Sequence, residues 1–130
     1  MLQRVHHIAF VVADLDASMT RFEETLGLEL HTRETMDDDY HLEIAVYELD
    51  GLLLELITPT RESGWIHEHL SENGEGFFHM AFEVEDIERA IESFRERGVG
   101  VDGPNQGLDW LVGTLDESET IVPMQVVEDE

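Results

Sequence analysis

The chain has 130 residues, of which 42% are hydrophobic, and carries 31 Asp or Glu against 7 basic residues, a formal net charge of −24. The apolar share suffices for one packed core and argues against disorder, and the charge leaves nothing to neutralise phosphates, which argues against a nucleic-acid partner. With no cysteine, disulfide and thiol chemistry are excluded, and no apolar run reaches the roughly 20 residues that a membrane-crossing helix needs.

All seven basic residues are Arg, and the acids are spread along the chain, not gathered in a tail. So large a like charge destabilises a compact state by self-repulsion. Near 1 M salt the Debye length falls to about 3 Å and that repulsion is largely screened. The expected setting is a high-salt cytoplasm. The start, MLQRVHHIAF, has no signal-peptide apolar region, which fits that localisation.

In chain order, residues 5–12 read as a strand. Asp14 follows as a helix N-cap, and Leu15, Met19, Phe22 and Leu26 recur at helical spacing up to Gly27, a C′ glycine. Strand-like runs follow at 28–32, 40–49 and 52–58, with Asp50-Gly51 as a hairpin turn between the last two. Residues 61–76 read as a surface connection containing a short amphipathic piece at 65–70. The pattern then restarts: a strand at 77–84, an Asp86 cap, Ile87, Ile91 and Phe94 at helical spacing, Gly98, and strand-like runs at 100–101, 110–115 and 120–127.

The restart is an internal duplication. HIAFVVADLDASMTRF at 7–22 and HMAFEVEDIERAIESF at 79–94 align without a gap at an offset of 72. His7/His79, Ala9/Ala81, Phe10/Phe82, Val12/Val84, Asp14/Asp86 and Phe22/Phe94 are identical pairs. Two such βαβββ copies are too long for solenoid repeats and read as modules sharing a core. The expected fold is therefore α+β: one domain over 1–130, with module one at about 1–60, a linker at about 61–76 and module two at about 77–130. Its sheet is one cup-shaped, eight-stranded mixed sheet with helices outside.

The duplication also organises the chemistry. His7 and His79 hold the same place in the two copies. Glu55, in LLLELIT, and Gln125, in VPMQVVE, are 70 residues apart and are further symmetry mates. A lone strand His is more often a hydrogen-bonded core residue than a ligand. Glu55, however, is flanked by Leu52, Leu53, Leu54, Leu56 and Ile57. A carboxylate there is costly to bury unless paired or metal-bound. Two His, one Glu and one Gln make a mixed N/O set suited to Mn, Co, Ni, Fe or Zn as a divalent ion. His6, His31, His41, His67 and His69 lack such mates. Glu43 shares a strand face with Ala45 and Tyr47, opposite Leu42, Ile44 and Val46. If that face lines the cup, Glu43 is a general base; if it faces water, it is a solvated acid.

These residues resemble the vicinal oxygen chelate superfamily, which includes glyoxalase I, extradiol dioxygenases and bleomycin-resistance proteins. Within it the resemblance is to the methylmalonyl-CoA epimerases. HHIAFVVADLDASMTRFEETLGL, LELITPT and SGWIHEHLSENGEGFFHMAFEVEDIERAIESFRERGV carry it, together with the terminal strand. The resemblance implies His7, Glu55, His79 and Gln125 as ligands of a divalent metal, Glu43 as the catalytic glutamate, an acyl-CoA substrate and a homodimer. It implies a metal-dependent isomerase that interconverts (R)- and (S)-methylmalonyl-CoA through an enolate. Gln125 departs from the pattern, which usually has Glu there. Gln coordinates through its carbonyl oxygen but accepts no proton usefully, so Glu55 takes the second acid–base role by exchange across the pseudo-twofold. The alternatives are a glyoxalase-like lyase or dioxygenase on the same fold, or a metal-free protein that binds a small ligand.

Overall fold

The structure is a computed structural model describing residues 1–37 and 40–129. The elements are β1 (Leu2–Val11), α1 (Leu15–Leu26), β2 (Leu30–Met36), β3 (Leu42–Leu49), β4 (Leu52–Pro59), α2 (Trp65–Asn73), β5 (Gly76–Val84), α3 (Ile87–Glu96), β6 (Val101–Gln106), β7 (Trp110–Leu115), α4 (Glu117–Thr120) and β8 (Met124–Asp129). The fold is α+β with an eight-stranded mixed sheet. Among the described residues no helix is long and apolar enough to cross a membrane.

The chain forms two compact units, residues 8–78 and residues 1–7 with those from His79 onward. Neither coincides with a sequence copy, because β1 and β5 are each divided between units.

In the 8–78 unit the strand order is β2-β3-β4-β1. Asp14 caps α1 by accepting from Ala17 N, and Gly27 ends it in the left-handed region at φ 70°. Asp50 and Gly51 both have positive φ, 48° and 87°. Their backbone twist therefore suits a two-residue hairpin. That turn sets an unbroken antiparallel register for β3 and β4, with Glu43 opposite Thr58, Ala45 opposite Leu56, Val46 opposite Glu55 and Tyr47 opposite Leu54. Helix α1 covers one face of this pair, where Leu15 and Met19 pack with Ala45, Tyr47 and Leu56. The Tyr47 hydroxyl donates to Glu23 on the same helix at 3.0 Å.

In the other unit the order is β1-β5-β8-β7-β6, with β5 and β8 parallel and β8-β7-β6 antiparallel. Asp86 caps α3 by accepting from Arg89 N. Ile87, Ala90 and Ile91 of that helix pack on Val84 and Val126.

The largest departures from the expected strand bounds are in β2, β6 and β8. Strand β2 continues to Met36, paired through to Leu42, although residues 33–35 are polar. It lies at one end of the strand order and is largely exposed, so its ladder needs no apolar run to persist. Strand β6 likewise reaches Gln106 at the other end of the order. The run expected at 120–127 begins instead at Met124. Asp116 caps a short helix there by accepting from Ser118 N, and Pro123, with no N–H to donate, precedes the strand.

Candidate metal centre

The duplication delivers a pair of histidines. His7 on β1 and His79 on β5, both in the 1–7/79–130 unit, are 1% and 6% exposed. Their Nε2 atoms are 3.0 Å apart. Two ligands at right angles on an ion with metal–nitrogen bonds of about 2.1 Å stand about 3.0 Å apart, so this spacing fits a pair addressing one cation. Burial, then the neighbouring His79 and His6, holds His7 well below the usual histidine range. It is therefore neutral, the form that ligates metals.

Gln125 on β8 pairs with Ala81 on one side and Thr114 on the other. It thus shares the sheet face of Ala81 and, two residues back along β5, of His79. Its amide nitrogen donates to Thr114 Oγ1 at 3.5 Å, which leaves the carbonyl oxygen as the atom to offer a cation.

Behind His7 lies a residue that the sequence reading passed over. His6 is 3% exposed; its Nδ1 is 2.8 Å from His7 Nδ1 and its Nε2 is 2.7 Å from Asp129 Oδ1. Arg4 closes the row, 3.2 Å from Glu83 and 4.0 Å from Asp129. Burial opposes ionisation of Asp129, but hydrogen bonding to Glu83 and His6 and the charge of Arg4 outweigh it, and its carboxyl lies below the ordinary Asp value. The Trp110 ring packs against both His6 and His7, with centroids 4.8 and 5.1 Å away. The duplication held a signal for His6: position 78, its mate at the same offset, is a buried Phe. Position 6 is therefore a core site carrying a polar ring.

In the 8–78 unit, Glu55 is 2% exposed on β4. It stands opposite Val46 and between Leu54 and Leu56, and burial pushes its carboxyl up to about 8. Glu43 does not join it. The register places Glu43 three residues off in the ladder, opposite Thr58, so the two side chains leave opposite faces of the β3–β4 pair. The Glu43 face is the one covered by α1. There Arg33 donates from Nε to Glu43 at 3.0 Å and from Nη1 to Asp16 of α1 at 2.7 Å. On that face Glu43 anchors an ion-pair cluster beside the helix. Alternation could not show this, because Leu42, Ile44 and Val46 on one face and Ala45 and Tyr47 on the other are all buried.

Known proteins extend the picture. The family model of the Glyoxalase/Bleomycin resistance protein/Dioxygenase superfamily matches residues 6–113. An ethylmalonyl-CoA/methylmalonyl-CoA epimerase from Cereibacter sphaeroides is 31% identical over 107 residues, which cover 82% of this chain and 79% of that protein. A Streptomyces coelicolor methylmalonyl-CoA epimerase variant, solved in complex with 2-nitronate-propionyl-CoA, matches 99% of both chains with a TM-score of 0.93 at 29% identity. A methylmalonyl-CoA epimerase in complex with methylmalonyl-CoA and NH4+ matches with a TM-score of 0.94 at 27% identity, over 99% of this chain and 96% of that one.

Proposed function

The chain belongs to the glyoxalase/bleomycin resistance protein/dioxygenase superfamily, and from that premise we propose that it is a divalent-metal-dependent epimerase of methylmalonyl-CoA or a closely related acyl-CoA thioester. The observation that carries the reading is the 3.0 Å approach of His7 Nε2 and His79 Nε2. The epimerases among its relatives supply the substrate class. His7, His79, Glu55 and Gln125 would hold the ion, whose N/O donor set admits Co, Mn, Zn, Ni or Fe. Bound there, a divalent cation supplies Lewis-acid stabilisation of negative charge on substrate oxygens.

The chain's own residues supply the rest. Epimerisation at C2 removes a proton next to the thioester carbonyl, leaves an enolate and returns a proton to the other face. Glu55 is the group assigned to the transfer on one face, and a water would carry the proton on the other. Without a cation, burial holds this carboxyl near 8; a cation on one oxygen would favour its ionised form, the one that accepts a proton. A carboxylate has two oxygens, so holding a cation with one leaves the other for the proton. Gln125 binds and carries no proton. Trp110, buried against His7, keeps water from that ring.

The test is NMR of methylmalonyl-CoA in D₂O at molar KCl, with metal-free and metal-loaded protein. The expected result is loss of the C2 proton that requires the ion, abolished together with tight metal binding in His79→Ala. No exchange above the uncatalysed rate, with metal demonstrably bound, would overturn the assignment.

A further inference from the structure

The row of groups behind His7 has a direction. Asp129, held ionised, can only accept a hydrogen bond, so His6 Nε2, 2.7 Å away, carries a proton toward it. A His6 with that one proton presents a lone pair at Nδ1. The contact from His6 Nδ1 to His7 Nδ1 is 2.8 Å and needs one proton between the two nitrogens. That proton then belongs to His7 Nδ1. His7 Nε2, the atom 3.0 Å from His79 Nε2, then carries the lone pair. Each step follows from what the next atom can accept, and the row ends on the nitrogen that a cation would need.

We propose that His6 and Asp129 are positioning residues that fix His7 in its Nδ1–H tautomer and so present Nε2 as a metal ligand. Metal-ligating histidines generally donate their second ring nitrogen to a carboxylate or carbonyl, and this second contact orients the ring and sets its tautomer. Here the carboxylate acts through an interposed imidazole, and Arg4, with Glu83, braces its far side. Arg4 beside both carboxylates also argues against reading His6, Glu83 and Asp129 as a second cation site, although their donor atoms lie within 4.8 Å of one another.

The inference rests on the metal reading above, and its test separates the two. ¹⁵N–¹H correlation spectra of the metal-free protein report which nitrogen of each imidazole is protonated, whether or not metal binds. The expected wild-type result is a single Nδ1–H tautomer for His7. In His6→Phe, which keeps a ring against Trp110, His7 should show a tautomer mixture. Affinity for Zn²⁺ or Co²⁺, measured by chelator competition, should then fall 10- to 100-fold, the usual effect of removing such a partner. Asp129→Leu should shift the His7 signals in the same direction. A wild-type His7 protonated at Nε2 would overturn the proposal even if neither variant folds. So would a folded His6→Phe whose His7 tautomer and metal affinity are unchanged. A protein that binds neither ion would sink the metal reading alone, and the tautomer would still decide the role of His6.

Discussion

Replacing Glu55 with Gln probes a strongly perturbed carboxyl without changing its shape. Glu55 is 2% exposed, and its carboxyl lies near 8 against an ordinary value of 4.5, with burial as the cause. The folded state therefore keeps this proton between those two pH values while the unfolded chain releases it. Wherever the folded state binds more protons, stability falls as pH rises. The loss begins near 4.5, grows through the window and is complete above about 8. The arithmetic is 8 − 4.5 = 3.5 units, which at 1.36 kcal/mol per unit gives about 5 kcal/mol as a ceiling. Gln has the same outline and no such slope. In chelator-treated protein at molar KCl, Glu55→Gln should match the wild type near pH 5 and exceed it by several kcal/mol near pH 9. Urea unfolding of both proteins across that range measures the gap, and the difference cancels the titration of the remaining acids. Adding metal should narrow or reverse the gap at high pH, because a bound cation compensates the buried carboxylate. A gap constant across the range would refute the reasoning, because Glu55 would then not be held protonated by folding.

Two further outcomes follow from charge and register. Thermal melts across a KCl series should rise from millimolar to molar salt as repulsion within a net charge of −24 is screened; a flat series would refute the high-salt reading. Glu43→Gln removes a partly exposed pair with Arg33. It should cost under about 1 kcal/mol of stability and leave metal affinity and turnover within about twofold. A loss of 10²-fold or more in turnover, the scale of positioned acid–base catalysis, would return Glu43 to the proton-transfer step.

Much of the fold was legible because duplication, caps and turn chemistry act locally. Asp14, Asp86 and the Asp50-Gly51 turn each fix a few backbone angles, and each does what its residue type implies. The paired histidines were legible because symmetry ties His7 to His79 at a constant offset. Glu43 was not, because both faces of β3 are apolar. Only the register against β4, and the helix that then covers one face, separates inside from outside. His6 was missed for another reason. It has no histidine mate in the second copy, so the symmetry that marks His7 does not mark it. The bonds that hold His6 in place come from its neighbour and from a residue 123 positions away.

That separation bears on how the protein is made. Residues 1–7 form a compact unit only with the chain from His79 onward. Their partners in that unit are therefore made only after more than half of the chain. The loop that the His7–His79 pair closes spans 72 residues and the one that His6 and Asp129 close spans 123, and closures so long fall late. The His7–His79 pair requires the middle of the chain, and the row that orients it requires β8. A half-made chain thus lacks the histidine pair and the row that orients it. If the proposed ion binds, its uptake would report that β8 has docked.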